Sequence, residues 1–76
     1  MKFGNPFRAH ADRYWQNIDG GYRTYSRAGI QQKPDGTHEP AVIIFRDRHV
    51  LSVLTTEDAI RLSNEIIDAT ERPVIQ

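Results

Sequence analysis

The stretch TTEDAIRLSNEIIDATER, residues 55–72, decides the fold because its pattern is that of one amphipathic helix. At about 100° per residue, its apolar side chains share one half of the helix circumference and its charged side chains fill the other half. The apolar half contains Ala59, Ile60, Leu62, Ile66, Ile67 and Ala69. Because no charged residue interrupts that half, we predict a helix that covers an apolar surface and carries no chemistry on its inner side.

The ends of this helix are marked by its flanking residues. Thr55 is the expected N-cap, with its hydroxyl accepting a hydrogen bond from the backbone N–H of residue 57 or 58. Pro73 cannot continue a helix, because it lacks an N–H and clashes with the preceding turn. Ser63 and Thr70 are small residues near the middle of the apolar half. They indicate either close packing on a sheet or a helix–helix contact between two copies.

Two apolar segments precede the helix and are predicted to be strands. AVIIF, residues 41–45, places Val42 and Ile44 on one face and Ile43 and Phe45 on the other. A strand that is apolar on both faces is normally buried on both. A polar connection, residues 46–49, leads to the second strand VLSVL, residues 50–54, which enters the helix directly. We therefore expect the helix to fold back across this sheet.

One helix covers one face of a sheet, so the other face needs a second cover. Either the N-terminal segment, with Phe3, Phe7 and Trp15, or a second molecule could supply it. We predict a homodimer. The residues expected at the interface with a second copy or with a protein partner are Ile43, Phe45, Trp15 and Tyr25.

Residues 21–30, GYRTYSRAGI, are predicted to form a further strand with two dissimilar faces. Arg23, Tyr25 and Arg27 share a cationic face. This is either a solvated face, with arginine stems lying over Tyr25, or a surface for phosphates and stacked bases. Pro34-Asp35-Gly36 then predicts a turn, after which the chain returns at Pro40.

Residues 1–20 allow two interpretations. In the first, Asn5 caps a helix that begins at Pro6 and ends at Gly20 and Gly21. In the second, which we favour, Tyr14–Ile18 is a strand and Asp19-Gly20 is a hairpin turn, because tyrosine, tryptophan and isoleucine prefer strands. Residues 1–12 then form a loose arm or a short helical turn. Both interpretations bury Trp15 and Ile18.

The composition bounds the class of protein. Seventy-six residues make one domain, 1–76, and the absence of cysteine excludes disulfides and thiolate metal sites. No apolar run has the length of a membrane span, and the N-terminus has no signal-peptide core, so we expect a cytoplasmic protein. Residues 1–33 carry six lysines and arginines against two aspartates, whereas residues 34–76 carry four arginines against eight acidic residues. This asymmetry suits an anionic partner or head-to-tail association of two copies.

No catalytic constellation is visible in the sequence. His10, His38 and His49 lack the helical spacing of a zinc protease, and there is no glycine-rich phosphate loop. The serines lack the sequence context of a nucleophile elbow. We therefore predict no catalytic, cofactor or metal site, and a protein that is not an enzyme.

One resemblance adds a context. The segment VLSVLTTEDAIRLSNEIIDATE, residues 50–71, resembles the C-terminal half of small uncharacterised proteins of actinobacteria and their phages, in its Leu62, Asn64, Ile66 rhythm after an acidic pair. GGYRTY, residues 20–25, and residues 43–49 are also similar to that group. The resemblance implies no activity, but it implies a phage or accessory-gene setting in which small proteins often bind a host protein or themselves.

The sequence thus predicts an α+β fold: an antiparallel meander sheet of three or four strands with one C-terminal amphipathic helix on one face. The predicted function is a small, non-enzymatic interaction protein that self-associates and binds a protein partner. The alternative is nucleic-acid binding through the basic, aromatic N-terminal half, with contacts from Arg8, Arg13, Arg23, Arg27 and Lys33.

Overall fold

The computed structural model describes residues 8–72, and these form a sheet flanked by two helices. A 3-10 turn, Ala11–Arg13, leads into helix α1, Tyr14–Tyr22. Strands β1 (Thr24–Gln32), β2 (His38–Arg46) and β3 (His49–Thr55) follow, and then helix α2, Thr56–Glu71. The strands are antiparallel in the order β1-β2-β3. The predicted α+β fold, a meander sheet with a C-terminal helix, is confirmed, with three strands in the described residues.

Helix α2 begins where its cap predicts. Thr55 Oγ1 accepts a hydrogen bond from the backbone N–H of Asp58 at 3.0 Å, which satisfies one of the free donors of the first turn. Glu57 and Asp58 place negative charge at the positive end of the helix dipole. The helix ends at Glu71, one residue before the predicted limit, and Pro73 lies outside the described residues.

Both turns of the sheet follow from local chemistry. Asp35 accepts hydrogen bonds from Thr37 N at 2.9 Å and Thr37 Oγ1 at 2.7 Å, and Gly36 adopts a φ of 91°. The predicted Pro34-Asp35-Gly36 turn is therefore confirmed. In the β2–β3 turn, Asp47 has a φ of 55°, a conformation that aspartate tolerates better than most residues.

The β1–β2 ladder explains how a central strand holds Pro40. Lys33 N donates to Thr37 O at one end of the ladder, and Asp47 N donates to Arg23 O at the other. Since backbone groups alternate in direction along a strand, odd-numbered residues of β1 and β2 bond each other and even-numbered residues point away. The backbone nitrogen of Pro40 points toward β3, but the β2–β3 pairing ends with Thr55 opposite Ala41. The missing N–H of Pro40 therefore breaks no ladder bond.

The hairpin interpretation of residues 14–25 is wrong, because Tyr14–Tyr22 is helical. Asp19 accepts from the Arg23 side chain at 3.0 Å, and the Thr24 hydroxyl donates to Gly20 O at 2.7 Å, so polar contacts hold the helix end. Gly20 is buried beside the Arg46 guanidinium. The helix runs through both glycines, whereas Asn5 and Pro6, its predicted start, lie outside the described residues.

The expected burial of Trp15 and Ile18 is also wrong for the protomer. Trp15 is 76% exposed and Ile18 is 52% exposed. Helix α1 lies beside the start of β1, and Trp15 packs edge-on against Tyr14 with ring centroids 4.9 Å apart. Among the apolar side chains of residues 8–72, Ala41 alone is fully buried, at 3% exposure. Residues 8–72 therefore form a very small core.

Candidate interaction surfaces

An open apolar groove separates α2 from part of the sheet. Its volume is about 660 Å³. Its floor consists of sheet residues that face the helix, and its wall consists of the inner side of α2. The floor contains Ser26, Val42, Ile44 and Leu54, and the wall contains Thr56, Ala59, Ile60, Leu62, Ser63, Asn64, Ile66 and Ile67. This surface is called the groove below.

The groove is open because the apolar half of α2 extends beyond its contact with the sheet. Ala59 and Leu62 are half-buried against the sheet. Ile60 and Ile67 lie about 100° and 80° around the helix from Ala59, on the side away from Leu62. They are 65% and 51% exposed. Ile66 lies between Ala59 and Leu62 around the helix and is still 57% exposed, and every residue from Ser63 to Arg72 is exposed. The sheet therefore covers the apolar half of α2 only near its first turns, and the rest of that half has no partner in the described protomer.

The amount of exposed surface is large for a chain of this size. The accessible surface is 7085 Å², whereas a folded monomer of 8.8 kDa is expected to expose about 4,800 Å². The radius of gyration is 15.8 Å, against about 11 Å for a compact domain of this length. Within residues 8–72, Trp15, Tyr22, Ile30 and Ile60 are among the apolar side chains that contribute to this surface.

The opposite face of the sheet, called the bare face, carries Tyr25, Arg27, Ile43, Phe45 and Val53. Tyr25 and Phe45 stack with centroids 5.2 Å apart, and the Arg27 guanidinium lies 5.3 Å from the Tyr25 ring centroid. The Tyr25 hydroxyl donates to Asp47 O at 2.6 Å. An arginine, a tyrosine and a phenylalanine therefore form one fixed row across β1 and β2.

The side chains of the bare face cover one another. A Cβ built on Gly29 would lie 2.8 Å from Ile43 Cγ1, so the Ile43 side chain occupies the space that a larger residue would take. Ile43 and Phe45 are half-buried although no helix of residues 8–72 lies over them, while Phe3 and Phe7, which were expected as a possible cover, lie outside the described residues. Three of the predicted interface residues, Tyr25, Ile43 and Phe45, share this face, while Trp15 lies apart from them on α1.

The predicted nucleic-acid contacts are dispersed. Arg23 forms ion pairs with Asp19 and Asp47, which neutralise its charge locally. Lys33 follows the last residue of β1, about 30 Å from Arg23 along the strand. Arg8 and Arg13 line a shallow depression beside α1. Arg27 is the member of the set that lies on the bare face, so the structure does not gather the five cations into one basic patch.

The described residues show no cluster for metal binding. No three His, Asp or Glu side chains of residues 8–72 lie close enough to hold a metal ion. His10 accepts a hydrogen bond from Asp12 N at 3.1 Å and so caps the first turn. The two Thr37 donors lower the pKa of the Asp35 carboxyl in the β1–β2 turn. These contacts are ordinary turn and cap chemistry.

Sequence reasoning missed Ile30, Ile60 and Ile67 as candidate binding residues. Ile30 is 72% exposed and points to the α2 side of β1. Ile60 and Ile67 are seven residues apart at one border of the apolar half of α2. An apolar half of about 180° is wider than a single packing stripe, and that width was the signal for a second contact.

Comparisons of the chain with protein-family models, curated proteins and solved structures find no match. Within residues 8–72, no helix is both long and apolar enough to cross a membrane. The geometry of the groove and of the bare face therefore carries the functional argument.

Proposed function

We propose that the protein is a small, non-enzymatic interaction protein that self-associates through the groove and binds a protein partner through the bare face. The observation that carries this proposal is the exposure of Ile60 and Ile67 above an open apolar floor. Apolar surface of this extent is unfavourable in water and marks a binding site in a soluble protein. A second copy is the simplest occupant, because symmetric dimers are the commonest oligomers.

The bare face suits a different kind of contact. Its aromatic pair is fixed by the Tyr25–Asp47 hydrogen bond and flanked by the Arg27 cation. Aromatic residues and arginine are enriched where protein interfaces carry most of their binding energy. A partner with an apolar anchor and a nearby carboxylate would complement this row.

Self-association is tested by size-exclusion chromatography with light scattering at micromolar concentration. We expect the native protein to have twice the 8.8 kDa mass of the chain. Ile60→Ser should shift it toward the monomer, because it replaces apolar groove wall with a hydroxyl. The matched control is Ile18→Ser, which changes the same residue type at a similarly exposed position outside the groove. A native protein that remains monomeric would remove the proposal.

Nucleic-acid binding is the alternative, and one observation favours it: the stacked row of Tyr25, Phe45 and Arg27 could hold an unpaired base. The dispersal of the other cations weakens it, since affinity for nucleic acid depends on several phosphate contacts. A mobility-shift assay with single-stranded RNA and DNA at low salt tests it. A shift that disappears in Arg27→Ala would support the alternative, and no shift at any protein concentration would eliminate it.

A further inference from the structure

The two edges of the sheet differ in how well they are protected. β1 offers nine regular residues, with one charged side chain and no proline. β3 has seven residues, and a bulge interrupts its pairing with β2 opposite Ile44 and Phe45. α2 follows β3 directly and packs against it. Bulges and short strands discourage pairing at an edge, so β1 is the edge that remains open to another strand in the part of the chain that the structure describes.

The backbone groups on the open edge of β1 can be assigned. The bonds from Lys33 to Thr37 and from Asp47 to Arg23 show that odd-numbered residues of β1 face β2. The backbone N–H and C=O groups of the even-numbered residues therefore point off the sheet. These residues are Thr24, Ser26, Ala28, Ile30 and Gln32. A strand laid antiparallel along this edge would find ten backbone groups in register.

We propose that β1 pairs antiparallel with β1 of a second copy, around a two-fold axis at Ala28, to form a continuous six-stranded sheet. This inference rests on the self-association proposed above and specifies its geometry. The axis at Ala28 aligns all nine residues of both strands. An axis at Arg27 would set two arginines directly opposite each other, which is unfavourable, whereas the axis at Ala28 sets Arg27 opposite Gly29.

The same register accounts for the groove. It places Ile30 of one copy directly opposite Ser26 of the other, on the face that α2 covers. Ser26 is part of the groove floor, and Ile30 is among the most exposed apolar side chains of residues 8–72. Each copy thereby adds an isoleucine beside the floor of its neighbour's groove, below Ile60 and Ile67. The backbone pairing of the two β1 strands and the side-chain contact at the groove would then form one continuous interface.

Single-cysteine variants test the register, because the native chain has no cysteine. Directly opposed residues in a hydrogen-bonded antiparallel pair have Cα atoms about 5.5 Å apart, which suits a disulfide. Under mild oxidation, Ala28→Cys should form a covalent dimer about tenfold faster than Val53→Cys, the matched position on the open side of β3. A mixture of Ser26→Cys and Ile30→Cys should give the heterodimer in excess over either homodimer.

A proline variant provides the second measurement. The Ala28 N–H points off the edge, so Ala28→Pro should leave the β1–β2 ladder intact and convert the dimer to a folded monomer. Arg27→Pro is the contrasting variant, because the Arg27 N–H points to β2 and its loss breaks a ladder hydrogen bond. We expect this variant to be unfolded, as measured by circular dichroism.

The outcomes separate this inference from the proposed function. A native protein that is dimeric by light scattering but does not cross-link through residue 28, or cross-links faster through residue 53, would overturn the β1 pairing and leave self-association standing. A monomeric native protein would overturn both. A folded, dimeric Ala28→Pro variant would also contradict the pairing.

Discussion

The two faces of the sheet differ in how closely their side chains pack, and the face with a helix on it is the less closely packed. The face under α2 has a helix across it and still contains an open groove beside Ile60 and Ile67. The bare face has no helix of residues 8–72 across it, yet Phe45 stacks on Tyr25 and Ile43 occupies the space over Gly29. Cover therefore depends on the size and fit of the side chains at a contact, and the presence of a packed element does not guarantee it.

Chain connectivity and residue size explain the difference. α2 starts immediately after β3, so its first turn is held close to that strand. On the β1 side of the same face, Ser26 and Ala28 are too small to reach a helix placed over β2 and β3. Large residues take the corresponding positions of the bare face. We infer that the α2 side lacks a neighbour, while the bare face is a preformed surface.

If the side chains of the bare face pack against each other, truncating the largest half-buried one, Phe45, should have the largest effect. We expect Phe45→Ala to lower the free energy of unfolding by about 2–4 kcal/mol, because it removes a half-buried ring and its stacking contact with Tyr25. Val53→Ala on the same face should lower it by less than about 1 kcal/mol, since Val53 is more exposed. Urea unfolding measures both. Equal losses would show that the stack carries no special packing.

The close contact between Gly29 and Ile43 sharpens the same point. We expect Gly29→Ala to lower the free energy of unfolding by about 1–3 kcal/mol, because the added Cβ meets Ile43 Cγ1. In a double-mutant cycle, Ile43→Ala should remove most of that penalty, since the obstructing atoms are gone. Additive losses in the cycle would mean that Gly29 is needed for another reason.

On the α2 side, two residues of one helix should respond differently. Leu62→Ala should lower the free energy of unfolding by about 1–2 kcal/mol, because Leu62 is half-buried on the sheet. Ile60→Ala should lower it by less than about 0.5 kcal/mol in dilute protein, because Ile60 is mostly exposed and alanine favours helix. Thermal unfolding at rising protein concentration is the measurement. The Ile60→Ala deficit should grow with concentration if a second copy covers the groove, and a constant deficit would contradict that cover.

Much of the fold was predictable because local signals agreed with each other. The residue pattern of 55–72 set the extent of α2, and Thr55 capped it as expected. Pro34-Asp35-Gly36 fixed the turn, and the consecutive apolar residues 41–45 of β2 indicated that both of its faces are apolar. At each of these places, intrinsic propensity and tertiary position favour the same structure.

Helix α1 and the groove were not predictable for separate reasons. Tyr14, Trp15 and Ile18 prefer strands, but their helix is held by Asp19 and Thr24 contacts that depend on the tertiary placement of β1. The apolar half of α2 was visible in the sequence, but how much of that half the sheet covers depends on where the helix axis lies. Propensity carries no information on that position.

The β1–β2 turn belongs to neither face, so changes there should have the smallest effect and provide a baseline for the others. The Thr37 hydroxyl and backbone N–H donate to Asp35 and lower the pKa of its carboxyl from the ordinary value of 3.8. A carboxyl whose pKa is lower in the folded state adds stability above its unfolded pKa and loses that contribution as the pH falls through its folded pKa. We expect native stability to fall relative to Asp35→Asn as the pH is lowered from about 5 to about 3. Thr37→Val removes the hydroxyl hydrogen bond, which is the larger of the two causes, and should weaken this pH dependence. The difference in unfolding free energy between Leu62→Ala and Ile60→Ala should stay the same over this pH range. If the stability of Asp35→Asn falls with pH as much as that of the native protein, the pH dependence belongs to other carboxylates and the turn has no role in it.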